Sequence, residues 1–332
     1  MVIIKAENLS KEFSVRAKPT GGGLRETIGA VLKPRHDVIM AVKDVSFSVS
    51  AGEAVAYMGP NGAGKSTTIK LLTGILTPTR GAVSVCGLTP WKQRTRLAAR
   101  IGAVFGQRSQ LLWDLPVRES FRFLGTMYDI PGGEFVKRLN FSVEMLDIGE
   151  LLHQPVRELS LGQKMKCEMA AVLLHRPALL LLDEPTIGLD LMAKDRLRDT
   201  LRYAQKELGM TILLASHDFG DVEAICERAV LLVNGTVKYD GSLDVLRGMA
   251  GTTRVIQFTL ASAADPGSLG SLPEVDAELD GDTLTVSFDR DRFTSAEVLT
   301  HVLSRFDATD VRVQEPTLEN AIRKLYASGG EV

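Results

Sequence analysis

The sequence predicts an α/β chain: a core of buried parallel strands around a glycine-rich loop, followed by a small α+β domain. Three observations predict it. A glycine-rich loop, Gly59 to Thr67 (G-P-N-G-A-G-K-S-T), stands between a short apolar run, Ala54 to Met58, and a helix-like stretch from Thr68. Continuous apolar runs, Leu179 to Leu182 and Thr211 to Ala215, lead directly into polar or charged residues, as strands buried on both faces of a parallel sheet do. Beyond about Gly248 the pattern changes to alternating strands mixed with helices, which reads as a separate layered unit.

The 332 residues exceed the ~150 of one ordinary domain, so two are expected, at 1–248 and 253–332. A net charge of −2 gives no global basic field, and no nucleic-acid partner is expected. Cys86, Cys167 and Cys226 form no C-x-x-C pair. They indicate neither a disulfide framework nor a zinc site and read as small buried apolar residues. The N-terminus lacks a signal-peptide pattern. The apolar run Ala178 to Leu182 is far short of the ~20 residues of a membrane helix. The expectation is a soluble, cytoplasmic chain that meets a membrane only through a partner or a peripheral surface.

Strand, glycine loop and helix in succession are what phosphate binding requires. Gly59, Gly62 and Gly64, with Pro60, Asn61 and Ala63 between them, let the backbone turn its N–H groups inward at the positive end of the helix that Lys65, Ser66 and Thr67 begin. Lys65 can reach the β- and γ-phosphates, and the Ser66 hydroxyl can bind Mg²⁺. Farther along, Gln107 follows the strand-like run Ile101 to Phe105. Leu159-Ser160-Leu161-Gly162-Gln163 precedes an amphipathic stretch, and Ser160 taken alone reads as a helix cap. Four leucines then end in Asp183 and Glu184: Asp183 is placed to hold the Mg²⁺ bound by Ser66, and Glu184 to orient or deprotonate an attacking water. Gly188-Leu189-Asp190 follows, and His217 stands just past the run Thr211 to Ala215.

In this order the segments resemble the ATP-binding subunit of ABC transporters, over about residues 2 to 245. The resemblance implies a P-loop NTPase cassette with a RecA-like α/β core and a helical subdomain at about 111–176. It makes Gly59 to Thr67 the Walker A loop, Gln107 the Q-loop residue, and Ser160, Gly162 and Gln163 the signature. Leu179 to Asp183 becomes Walker B, Glu184 the catalytic glutamate, Asp190 the D-loop aspartate and His217 the switch histidine. It also implies ATP and Mg²⁺ as cofactors, with Ser66, Gln107 and Asp183 at the metal. Two copies would pack head to tail, each ATP lying between Walker A of one and Ser160, Gly162 and Gln163 of the other. Family members stack an aromatic on adenine; Phe13 reads either as that residue or as a core residue.

An insertion at 14–38 separates Phe13 from the next strand. Leu24, Ile28, Val31 and Leu32 fall at helical spacing among Arg16, Lys18, Arg25, Lys33 and Arg35. The segment reads as a surface hairpin or as a short helix at the cytoplasmic membrane surface or against a membrane subunit. Cassettes of polysaccharide exporters carry a similar insertion. The tract Ile101 to Phe121 and the signature and Walker B segments resemble a bacterial branch of ABC-2 type cassettes related to daunorubicin-type exporters, some of which move cationic organic compounds such as viologens. The resemblance implies one or two separate ABC-2 type permease subunits, a place at the cytoplasmic side of the inner membrane, and Gln107 to Pro116, with Trp113, facing the permease or forming an internal loop. Alternatives are a polysaccharide or lipid exporter, and a soluble ABC ATPase acting on DNA or the ribosome; one motif set and the absence of sustained heptads weigh against the last. The end of the chain, with strands at Val255 to Leu260, Thr283 to Phe288 and Asp310 to Val313, reads as a ferredoxin-like accessory domain with a dimer-stabilising or regulatory role.

Overall fold

Two strands of 15 residues each, β1 (Val2–Arg16) and β2 (His36–Ser50), begin the chain as an antiparallel pair. The computed structural model describes residues 1–16, 36–105, 109–249, 253–261, 275–289, 291–314 and 318–327. The pair extends to Arg16 opposite His36, so strand occupies both ends of the 14–38 insertion. Its predicted helix, with Leu24 to Leu32, lies outside the described residues. β3 (Ala54–Met58) is wholly buried and leads into α1 (Lys65–Leu72). β4 (Arg80–Val85) returns to pair with β1 and complete a three-stranded sheet, β2-β1-β4.

α2 (Arg94–Ala98) and β5 (Ile101–Phe105) follow. The helical subdomain comprises α3 (Val117–Met127), α4 (Gly132–Leu146) and α5 (Leu161–Leu173), within the predicted 111–176. β6 (Leu179–Asp183), α6 (Leu191–Lys206), β7 (Thr211–Ala215), α7 (Phe219–Ile225), β8 (Arg228–Val233) and β9 (Thr236–Ser242) return the chain to the core. The strands form a six-stranded sheet, β5-β6-β7-β3-β8-β9, parallel from β5 to β8. Leu179 to Leu182 and Ile212 to Ala215 have no exposed surface, the burial on both faces that their unbroken apolar runs require. Register places Phe105, Asp183 and Ala215 on one rung, so three strands release the chain at the same level. In a parallel sheet that edge is where ligands bind.

The chain divides into two compact units, Met1–Gly241 and Ser242–Val332. α8 (Leu243–Gly248), assigned from the sequence to the end of the first domain, belongs to the second: Leu243 and Leu246 are buried, and the helix packs against α10 (Leu318–Ala327). The second unit also holds β10 (Thr253–Leu260), β11 (Asp276–Asp280), β12 (Thr283–Asp289), α9 (Ser295–Leu303) and β13 (Ala308–Gln314). Its antiparallel sheet runs β11-β12-β10-β13, the strand order of a split βαβ fold. Ile256, Phe258, Leu284, Val286 and Phe288 alternate inward and meet Val298 and Val302 of α9. Among the described residues no helix is long and apolar enough to cross a membrane.

Candidate active site

β3 delivers the chain to the glycine loop and α1 carries it away. Gly64 caps α1 with φ +102, and a Cβ there would stand 2.3 Å from the Ala41 carbonyl oxygen of β2. Both facts admit only glycine. No side chain caps the helix, which leaves its positive N-terminus facing the loop. The Lys65 ammonium folds back and donates to the carbonyls of Gly59 (2.6 Å) and Pro60 (3.2 Å). Burial pulls its pKa down, opposed by the charges of Glu184 and Asp183. Ala63 turns into the core.

A cleft of about 570 Å³ opens over this loop. Asn61, Gly62, Gly64, Lys65, Ser66 and Thr67 line one side, and Asp183 and Glu184 the other. A lysine ammonium, a hydroxyl and a carboxylate around a cradle floored by an uncapped helix suit a nucleoside triphosphate and an oxygen-ligated divalent cation. Ala41, Lys70, Ile75, Phe105 and Ile187 also line the cleft. Sequence reasoning missed them, since each comes from an unremarkable strand, helix or loop position and only the fold brings it there. Phe13 does not line the cleft. It lies in β1 opposite Ile39, with the Lys11 ammonium 5.3 Å from its ring centroid. Gln107 lies outside the described residues, two positions beyond Phe105.

Glu184 takes a left-handed turn (φ +54) directly after β6, and its N–H donates to the Ala215 carbonyl of β7 at 2.8 Å. A non-glycine residue there is sterically disfavoured; the bond to β7 holds it. The turn brings the Glu184 carboxylate to the Nδ1 of His217, 2.8 Å away. Acid and histidine thus leave neighbouring strands and meet.

The remaining predicted residues sit on two helix N-termini away from the cleft lining. Ser160 caps α5 reciprocally: its hydroxyl accepts the Gln163 N–H at 3.2 Å, and its own N–H donates to the Gln163 side chain at 2.9 Å. Gly162 lies against the backbone of Gly188, and Asp190 caps α6 by accepting the Ala193 N–H at 2.8 Å. α5 also carries Glu168, a buried carboxylate that accepts the Ser109 hydroxyl and the Gln110 N–H. Its pKa is raised by burial, opposed by those bonds.

A family profile described as "ABC transporter" matches residues 42–187. The ABC transporter ATP-binding protein NatA of Bacillus subtilis is 32% identical over 212 residues, 64% of this chain and 86% of NatA. The linearmycin resistance ATP-binding protein LnrL of Bacillus subtilis is 31% identical over 291 residues, 86% of this chain and 93% of LnrL. The chain belongs to the ABC transporter ATP-binding proteins. The match to LnrL is longer than the first unit, Met1–Gly241, and so reaches into the second. Among solved structures, the dimeric post-hydrolysis cassette MJ0796 bound to ADP and Pi superposes with a TM-score of 0.61 at 25% identity, over 72% of this chain and 98% of that one. This ABC cassette is an ATPase with a P-loop α/β fold.

Proposed function

We propose that this cassette energises export of a small molecule, cationic or drug-like, through one or two ABC-2 type permease subunits. It sits at the cytoplasmic face of the inner membrane and is held there by those subunits. What carries the hydrolytic part of the reading is the Glu184–His217 contact, 2.8 Å long, beside a cleft lined by Lys65 and Asp183. Lys65 and the backbone of Gly59 to Thr67 hold the triphosphate. Ser66 and Asp183, with Gln107, are assigned to Mg²⁺, which supplies charge neutralisation at the phosphate oxygens. Glu184 accepts the proton of the attacking water, and His217 holds its carboxylate in place.

Ser160, Gly162 and Gln163 gather at one helix N-terminus, suited to an anion presented from outside this chain. This supports a head-to-tail dimer in which they face the triphosphate on a second copy. The export reading rests on the resemblance of Ile101 to Phe121 and on the similarity to LnrL along both units. Affinity purification of the chain from gently solubilised membranes tests it. One or two polytopic proteins in stoichiometric amount, giving ATPase activity stimulated by viologen-like cations, are expected. Stimulation only by a lipid-linked glycan would replace the drug-like substrate, and ribosomal or DNA-repair proteins in place of a membrane subunit would overturn the transport reading.

A further inference from the structure

His217 begins a segment whose next residues are fastened by buried charge. Asp221 of α7 has no exposed side-chain surface. Its Oδ1 accepts from Arg198 Nε at 2.8 Å, and Arg198 Nη2 lies 2.7 Å from the same oxygen. Its Oδ2 accepts the hydroxyl of buried Thr186 at 2.5 Å. These three residues belong to three elements. Thr186 follows Glu184 by two positions on the exit from β6, Arg198 is on α6, and Asp221 is on the helix that starts just after His217.

The surroundings reinforce the clamp. Arg198 Nη2 lies 3.7 Å from Asp218 Oδ1, and Lys194, one turn earlier on α6, donates to Asp218 Oδ2. Asp218 caps α7 by accepting the Asp221 N–H at 3.3 Å. Gly220 is where the guanidinium passes the backbone: a Cβ there would stand 3.0 Å from Arg198 Nη2 and 3.1 Å from Asp218 Oδ1. The far end of α6 is capped by Asp190. None of these residues lines the cleft of their own chain.

We propose that Arg198 and Asp221 are positioning residues for ATP hydrolysis: the ion pair of the partly exposed guanidinium with the buried carboxylate, closed by the Thr186 hydroxyl, sets the separation of Glu184 and His217 and ties it to α6. The inference rests on Glu184 and His217 being the hydrolytic pair. A carboxylate without solvent cannot stand uncompensated. With the guanidinium gone, α7 must shift to bring Asp221 to water, and His217 shifts with it. A misplacement near 1 Å at reacting groups costs on the order of 100-fold in rate. Nucleotide affinity, set by the phosphate loop on another strand, stays as it was.

The experiment is steady-state ATPase kinetics with nucleotide titration and thermal unfolding on the full chain, comparing Arg198→Met, Arg198→Lys, Thr186→Val and Glu184→Gln. Arg198→Met is expected to lower kcat about tenfold or more with KM and nucleotide Kd within about twofold. Arg198→Lys should recover about threefold or more of the kcat lost in Arg198→Met without reaching wild type, because it restores the charge but not the fork. Thr186→Val, which deletes only a hydroxyl, should lower kcat about threefold to tenfold at unchanged KM. If Arg198→Met does not purify folded, Thr186→Val decides.

An inactive Glu184→Gln beside wild-type turnover in Thr186→Val and Arg198→Met would overturn this inference and leave the hydrolytic pair standing. A Glu184→Gln variant as active as wild type would instead remove the pair reading and the inference with it. Loss of kcat that follows loss of folded protein, with no better activity in the lysine variant, would reduce the clamp to fold stability and also overturn the inference.

Discussion

The Oε2 atom of Glu184 lies 2.8 Å from Nδ1 of His217 and also accepts the His217 backbone N–H at 3.4 Å. One carboxylate oxygen is therefore held by both the ring and the main chain of the same residue, and Glu184 also lines the cleft. The left-handed turn at Glu184, pinned by its bond to Ala215, makes this possible.

Replacing that carboxylate by an amide removes the proton acceptor and keeps the shape. Glu184→Gln is expected to lower kcat by about 100-fold or more while ATP still binds. His217→Ala should lower kcat by a comparable factor with little change in KM, since the ring orients the acid and does not hold nucleotide. Single-turnover hydrolysis and nucleotide titration read both effects; wild-type turnover in Glu184→Gln would remove Glu184 from the role of base.

Lys65 is the ammonium of the cradle, bonded to the loop's own carbonyls when no phosphate competes. Lys65→Ala is expected to weaken ATP binding by about tenfold or more, the worth of one charge-assisted phosphate contact of about 1.5–3 kcal/mol. Titration with a fluorescent ATP analogue checks it. Unchanged affinity would place the triphosphate elsewhere.

Gly64→Ala meets two obstacles at once, a φ of +102 and a Cβ 2.3 Å from the Ala41 carbonyl. Backbone strain alone costs about 1–3 kcal/mol. Lower denaturant midpoint and loss of nucleotide binding are expected together. Leu181→Ala, in the fully buried β6, should cost about 2–5 kcal/mol of stability in the same denaturation experiment.

Glu168 has a raised pKa from burial, opposed by the Ser109 hydroxyl and the Gln110 N–H. A carboxyl raised above its ordinary value of 4.5 contributes stability that is complete below that value and lost as pH rises through the raised one. Glu168→Gln, which resembles the protonated acid, escapes that loss. Its thermal midpoint should gain on wild type as pH rises from about 4.5 and then level off. A constant difference across pH would show that Glu168 titrates at the same pH folded and unfolded.

The sequence made some parts legible and others not. Gly59 to Thr67 and Leu179 to Asp183 announce themselves because their chemistry is local: a cradle needs glycines in succession, and a doubly buried strand needs consecutive leucines. The meeting of Glu184 with His217 was legible only through the resemblance, since 33 residues separate them. Arg198 and Asp221 were invisible. A charge pair across two helices leaves no periodicity, and α6 is otherwise rich in solvated charges such as Asp195 and Asp199. Leu243 to Arg247 read correctly as a helix, but which unit it packs on depends on α10, some 70 residues later, and no local pattern records that. The far end of the long β1–β2 pair was obscured because its last three rungs, from Ser14 opposite Val38 to Arg16 opposite His36, fall in what reads as an insertion.

That pair makes β2 a strut. At ~3.3 Å per residue, the stretch from His36 to Ala41 spans about 17 Å, and its inner end carries the carbonyl on which Gly64 rests. Chain length can vary beyond the Arg16–His36 rung without moving that support. One residue gained or lost between His36 and Met40 would slip this leg against Glu12 to Arg16 of β1 and turn its side chains to the opposite face, up to the irregularity at Ala41. Natural variants should therefore differ freely in the hairpin's reach and hardly at all in the length of its inner leg.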